Sequence, residues 1–208
     1  MNRIVIADDH PLFREALATA IRRVQPDAEI IERDTLAGAR AALMMSGATD
    51  LLLLDLKMPD CEGFAGLVGI RADFPVTPVA VVSASEDAST IRRALAFGAS
   101  GFIPKSASLE DMGSALLAIL AGDDWAPATA VDTEPESHAM EERIASLTPS
   151  QVRILMGLKK GLLNKQIAFD LGVTEATIKA HMTGIFRKLG VMNRTQAVLA
   201  ARSLRLDG

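Results

Sequence analysis

The chain lacks the residues that would build a disulfide-stapled or membrane-spanning protein. It has one cysteine, Cys61, in 208 residues, which excludes an intrachain disulfide framework and a multi-thiolate zinc site. No run of about 18 uncharged apolar residues occurs, since the longest candidates are cut by Asp50 and Asp55, and no membrane-spanning helix is expected. The opening stretch, Met1 to His10, places Asp8 and Asp9 where a signal peptide would continue its apolar core. A cytoplasmic protein without membrane partners is the expectation. Internal repeats and low-complexity tracts are also missing. With 49% apolar and 23% charged residues, the composition is that of an ordinary globular protein and argues against a disordered or collagen-like chain.

The net charge of −4 conceals an asymmetry. Residues 146–208 hold 10 Lys/Arg and 3 Asp/Glu, a balance of +7, whereas residues 1–145 hold 12 against 23, a balance of −11. Halves of opposite sign suggest two domains with different partners, the basic one a candidate for nucleic acid. The alternative is a solvated basic face with no partner.

Residues 1–121 alternate short apolar runs with helical patterns. Strands are expected at Arg3–Asp8, Ala28–Arg33, Asp50–Asp55, Pro78–Ser83 and Ser100–Pro104. Leu51 to Leu54 form the continuous apolar run expected of a parallel strand covered on both faces. Amphipathic stretches near 11–24, 35–46, 62–73, 86–97 and 108–121 lie between and after them. Pro11 suits a first helical turn, Ser85 with Glu86 and Asp87 an N-terminus, and Gly47 and Gly98 C-terminal stops. Five βα units predict an α/β doubly wound, five-stranded parallel sheet, with ligands at the carboxyl ends of its strands.

Residues 122–146, with Pro127, Pro135 and seven acids, read as a linker whose last part turns helical. Residues 147–208 predict a small all-α domain. Thr148-Pro149-Ser150-Gln151 is a capping box, Asn164 is placed to cap a second helix, and Leu171-Gly172-Val173 makes a tight turn. Thr174 caps a third helix ending near Leu189, and a fourth covers about 194–204.

The strand ends of the first domain carry Asp8 and Asp9, Asp55, Ser83 and Lys105. A parallel sheet gathers such ends on one edge. Three carboxylates in a partly dry cleft repel unless a cation binds or one is protonated, and hard oxygen donors with open water positions suit Mg²⁺. Lys105 adds a point charge suited to phosphate, and the Ser83 hydroxyl can bond a phosphoryl oxygen. The set predicts phosphoryl transfer onto a carboxylate. Gly98 to Ser106 does not make a nucleotide loop, because Pro104 stands where glycine is required before the lysine. Cys61 reads as an inert loop thiol.

Asp8-Asp9, Asp55 within Leu-Asp-Leu-Lys-Met-Pro, Ser83-Ala84 and Gly101-Phe102-Ile103-Pro104-Lys105 together resemble the receiver domain of two-component response regulators, over about residues 1–121. The resemblance implies a flavodoxin-like receiver fold and phosphorylation of Asp55. It implies Mg²⁺ held by Asp9, Asp55 and the backbone carbonyl of Lys57, with Asp8 assisting. Ser83 and Phe102 would be the switch pair and Lys105 the phosphate-binding lysine. The phosphodonor would be a sensor histidine kinase or another donor. A magnesium-dependent phosphatase with an aspartyl nucleophile is disfavoured, because position 57 is Lys rather than an acid.

In the third helix of the basic domain, Ile178, Met182, Ile185 and Leu189 recur at spacings of 4, 3 and 4, marking a buried stripe. Ala176, Lys179, Ala180, Thr183 and Arg187 fall on the other side, a cationic face with small residues that suits the major groove of double-stranded DNA. Lys165, Lys188 and Arg194 at helix ends are placed for phosphate contacts. Leu147-Thr148-Pro149, Gly161, Asn164-Lys165-Gln166-Ile167-Ala168, Leu171-Gly172-Val173, Thr177-Ile178-Lys179-Ala180-His181 and Lys188-Leu189-Gly190-Val191 resemble the LuxR-type helix-turn-helix of the NarL/FixJ subfamily, over about 147–205. The resemblance implies that Lys179, Ala180 and Thr183 face bases. Lys165, Thr177, His181, Lys188 and Arg194 would serve the DNA backbone or hold the fold. Ser150-Gln151 replaces the family's usual Arg-Glu, and Thr183 replaces a longer side chain. Val198, Leu199, Ala201 and Leu204 are either core or part of a dimer contact through the fourth helix. The combined expectation is a phosphorylation-switched transcriptional regulator, dimeric when phosphorylated and not an enzyme beyond slow autodephosphorylation. An interaction protein whose helical domain binds protein is the competing reading, and the +7 charge disfavours it.

Overall fold

The computed structural model describes residues 1–45, 48–127 and 139–204. Five parallel strands form the central sheet: β1 (Arg3–Ala7), β2 (Glu29–Arg33), β3 (Leu51–Asp55), β6 (Val79–Ser83) and β7 (Gly101–Pro104), in the order β2-β1-β3-β6-β7. Every residue of β1, β3, β6 and β7 is buried, as continuous apolar strands between two helical layers must be. The edge strand β2 instead turns Glu29 and Glu32 to solvent, which blunts its free edge.

Because side chains alternate across a strand, Ile4 and Ile6 enter one core layer and Val5 and Ala7 the other. The first layer lies under α1 (Pro11–Val24) and α5 (Leu109–Ala121), with Leu17, Ile21, Met112 and Leu116 at its centre. The second lies under α2 (Leu36–Met44), α3 (Phe64–Asp73) and α4 (Ala88–Ala96), through Leu43, Leu67, Ile70 and Ile91. Thr35, Asp87 and Ser108 cap α2, α4 and α5 by accepting from Gly38, Thr90 and Asp111 N–H.

A feature without a sequence signal is a hairpin of two-residue strands, β4 (Lys57–Met58) and β5 (Cys61–Glu62). Its turn carries Asp60, whose two carboxylate oxygens accept from Leu36 and Ala37 N–H at 2.8 and 2.9 Å, tying the loop after β3 to the positive end of α2. Two cap assignments are corrected. Ser85 does not start α4; its N–H donates to the Ser83 hydroxyl and Asp87 is the cap. Asn164 is the first residue of α8 (Asn164–Leu171), not its cap; the preceding Leu163 N–H is satisfied by the Gln166 side chain at 2.7 Å. Gly47, expected to stop α2, and residues 128–138 of the expected linker lie outside the described residues.

After α5 the chain turns at Gly122, in the left-handed region at φ 94°, and lays Trp125 beside β7. Phe102 N–H donates to Trp125 carbonyl at 2.9 Å, and Trp125 N–H to Ser100 carbonyl at 3.2 Å. The end of the linker forms α6 (Ala139–Ala145). It is followed by α7 (Pro149–Lys159), α8, α9 (Glu175–Leu189), α10 (Arg194–Ala200) and a 3₁₀ turn (Ala201–Leu204). The reciprocal Thr148–Gln151 capping box opens α7, and Thr174 caps α9. Gly172, at φ 64°, makes the turn between α8 and α9.

Among the described residues, the main contacts of the helical region with the sheet region lie at α3 and α4. Helix α3 lies on α7, where Asp73 binds both Arg40 and Arg153, the latter at 2.8 Å. Helix α4 meets α6, where Arg93 and Glu141 pair at 3.4 Å with both side chains nearly buried, and the Arg93 guanidinium stacks 4.8 Å over the Phe64 ring.

Candidate functional site

The carboxyl ends of β1, β3, β6 and β7 bring Asp8, Asp9, Asp55, Ser83 and Lys105 to one edge of the sheet. Lys105 Nζ stands 2.7 Å from Asp8 Oδ2 and 2.7 Å from Asp55 Oδ2, so one ammonium bridges two buried carboxylates. Burial would lower the Lys105 pKa, but hydrogen bonds to Asp55 and Asp8, and their charge, outweigh it and hold the group above the ordinary lysine value. The second oxygen of Asp55 accepts from Lys57 N–H at 3.0 Å, and that of Asp8 accepts from His10 N–H at 2.8 Å. Asp9 is half exposed, and His10 Nδ1 lies 2.7 Å from its Oδ1.

Asp8, Asp9, His10 and Asp55 each offer one ligand atom within 4.8 Å of the others. Three hard carboxylates, two of them bridged by the Lys105 ammonium, fit a divalent cation such as Mg²⁺, which would take over the charge balance that Lys105 supplies. A cavity of about 530 Å³ opens above Asp55, lined by His10, Leu12, Phe13, Lys57, Ala84 and Lys105. The larger cleft, about 770 Å³ between α3 and α7, contains none of the strand-end residues.

Ser83 is fully buried and its hydroxyl accepts from Ser85 N–H at 3.1 Å, while its carbonyl accepts from Lys105 N–H at 2.8 Å. Phe102 is also fully buried, within the layer shared by Phe64 and Phe97. Cys61 is 5% exposed; burial, opposed by a hydrogen bond with the backbone of Gly66, pushes its thiol up to about 12. Three neighbours escaped the sequence reading. They are His10, Phe13, whose ring lies under Lys105 Nζ, and Arg14, which donates to the Asp8 carbonyl at 2.7 Å. The signal that could have found them is Pro11, which starts a helix immediately beside the acidic pair.

In the helical region Ile178, Ile185 and Leu189 are buried and Met182 is half-buried against the same core. Lys179, Ala180, Thr183 and Arg187 are exposed on the opposite face of α9, which packs on α6, α7, α8 and α10. Lys179 pairs only loosely with Glu175, at 3.4 Å and largely in solvent, and the Thr183 hydroxyl donates to Lys179 carbonyl at 3.2 Å. Lys165 is exposed at the start of α8 and His181 is half-buried. The Thr177 hydroxyl lies 2.9 Å from that of Thr174 at the cap. Two cations turn inward: Lys188 donates to Ser146 carbonyl at 2.6 Å, and Arg194 to Leu162 carbonyl at 2.5 Å and Asn164 Oδ1 at 3.4 Å. Both therefore hold helices together in this arrangement. Ala201 and Leu204 are core, whereas Leu199 is about half exposed on α10.

Residues 4–117 match the response regulator receiver domain and residues 145–201 match the bacterial regulatory proteins of the luxR family. The chain is 40% identical over 210 residues to the glycerol metabolism activator of Pseudomonas putida, covering 97% of this chain and 95% of that one. It is 29% identical over 207 residues to the transcriptional regulatory protein YdfI of Bacillus subtilis, covering 97% and 95%. Among solved structures it resembles RcsB from Salmonella enterica serovar Typhimurium, bound to promoter P1flhDC in the presence of the phosphomimetic BeF₃⁻. There the identity is 21% over 98% of both chains and the TM-score 0.57, a likeness of fold.

Proposed function

The chain belongs to the response regulators that join a receiver domain to a luxR-type DNA-binding domain, and from that premise we propose that Asp55 is its phosphoacceptor and α9 its DNA-reading helix. The receiver is taken as 1–121, the linker as 122–146 and the DNA-binding domain as 147–208. The observation that carries the reading is the Lys105 ammonium held between Asp8 and Asp55 at the strand ends.

An oxygen of Asp55 attacks the phosphorus of a phosphodonor, a sensor histidine kinase or a small acyl phosphate, as the bond to the donor's leaving group breaks. Asp9, Asp55 and the Lys57 carbonyl, with Asp8 assisting, would hold Mg²⁺, which offsets charge on the phosphoryl oxygens when bound. Lys105 exchanges one carboxylate for a phosphoryl oxygen. The Ser83 hydroxyl releases Ser85 N–H and turns to the same group, drawing the loop before α4 inward and letting Phe102 rotate. This alters the surface of α4 and β7, where Glu141 of α6 docks on Arg93.

Shifting a population from 1:99 to 99:1 takes about 5.5 kcal/mol, and a hydroxyl bond to a charged group supplies roughly 1.5–3 kcal/mol. Ser83 therefore needs help from Lys105 and from contacts formed in a phosphorylated homodimer. Lys179, Ala180 and Thr183 then read base edges and Lys165, Thr177 and His181 serve the DNA backbone. Its own chemistry is limited to accepting and slowly hydrolysing the phosphoryl group, in the cytoplasm where DNA and donor meet. Incubation of wild type and Asp55→Asn with a small phosphodonor and Mg²⁺, followed by intact mass, tests the assignment. One phosphoryl group on the wild type and none on the variant is expected, and equal uptake would refute it.

A further inference from the structure

We propose that Phe13 is a positioning residue for the phosphoryl site, its ring forming a floor that steers the Lys105 ammonium. This rests on the reading of Asp55 and Lys105 given above. Lys105 Nζ lies over the face of the ring, 4.9 Å from its centroid, while the two carboxylates meet the ammonium at 2.7 Å each. The negative face of an aromatic ring attracts a cation at this range, and more strongly where water is excluded. Here the lysine side chain is 15% exposed.

The placement is built in. Pro11 opens α1 immediately after the acidic turn, which puts Phe13 at the third helical position, and the ring packs on the layer between α1 and α5. It also lines the cavity above Asp55. The carboxylates change partners when a cation and a phosphoryl group arrive; the ring does not. It is the contact that Lys105 keeps during that exchange, and it limits the orientations open to a stem with four rotatable carbons.

The test uses the full chain, with phosphate uptake from a small phosphodonor followed by intact mass and beryllofluoride binding with Mg²⁺ followed by calorimetry. Phe13→Leu, which keeps an apolar side chain without the ring, should slow uptake and weaken binding by roughly two- to tenfold. Phe13→Tyr, which keeps the ring, should stay near wild type. In a Lys105→Met background Phe13→Leu should cost nothing further, because its effect runs through the ammonium. Equal losses in both backgrounds, or Tyr as poor as Leu, would mean that Phe13 acts by packing alone and would overturn the proposal. If the wild type itself takes up neither group, the Asp55 reading fails and this one with it. Normal Asp55-dependent uptake that Phe13→Leu leaves unchanged removes this proposal only.

Discussion

The cleft at the strand ends and the outer face of α9 both carry charge, but they handle it in opposite ways. In the cleft, two buried carboxylates and one ammonium answer one another at hydrogen-bond distance. On α9, Lys179 stands 67% exposed beside Glu175, itself 51% exposed. The first arrangement is preloaded: a cation or phosphoryl group must displace existing contacts, so its arrival changes geometry. The second holds its charge in reserve, with little to rearrange when DNA phosphates approach. A switch belongs where charges are already coupled, and a reader where they are not.

The sharpest way to break this contrast is to remove Lys105. Lys105→Met leaves Asp8 and Asp55 facing each other and should lower unfolding free energy by roughly 3 kcal/mol in chelator. Mg²⁺ should restore more stability to the variant than it adds to wild type, as read by denaturant titration. An unchanged midpoint in chelator would show that the carboxylates are not mutually strained.

Lys179→Ala should do the reverse. Its stability should stay within about 0.5 kcal/mol of wild type, while affinity for a target duplex falls by an amount corresponding to roughly 1–3 kcal/mol if a base edge is contacted. If Lys179 meets only phosphate, binding should weaken alike on all sequences and the salt slope should shrink by about one. Mobility shifts at two salt concentrations distinguish these outcomes, and unchanged binding at both would take α9 off the DNA.

Alkaline pH should act on the sheet region through Cys61 and Lys105. Burial pushes Cys61 up to about 12, so the unfolded chain loses that proton first and stability falls from about pH 9 upward. Lys105, held above its unfolded value, contributes stability that is full below about pH 10.4 and is lost as pH rises through the folded pKa. Both signs agree, and one such group removes at most about 1.4 kcal/mol per pH unit. Cys61→Ala should flatten the fall between pH 9 and 10 in thermal melts, and an identical slope would exclude the thiol as its source. The smallest effect belongs to Arg153→Ala, which removes a half-exposed ion pair to Asp73 and should cost less than about 1 kcal/mol, since Arg40 still holds the carboxylate. A larger loss in denaturant titration would mean that α3 and α7 depend on this pair.

The same contrast governs how much could be read in advance. Leu51 to Leu54 announced a doubly covered strand because burial on both faces leaves no period, and Ile178, Ile185 and Leu189 announced a helix because one face is buried. Asp8, Asp55, Ser83 and Lys105 were legible because a parallel sheet carries all strand ends to one edge. The hairpin at 57–62 was not, since two-residue strands are too short for any pattern. Nor were Asp73 with Arg153, 80 residues apart, or Arg93 with Glu141, because contacts between separately folded surfaces leave no spacing to read. Phe13 and His10 were hidden for another reason. A helix pattern says which residues are apolar, but not which one its first turn lays over a neighbouring lysine.

The docking of Trp125 beside β7 has an optical consequence. The chain has one tryptophan and no tyrosine, so indole emission arises from this single place. Its backbone exchanges hydrogen bonds with Ser100 and Phe102, and the ring is half-buried. The indole packs on the layer opposite Phe102, so its fluorescence follows the loading of Asp55 through any shift of the β7 backbone that the two share, in real time, without a label, in the intact protein.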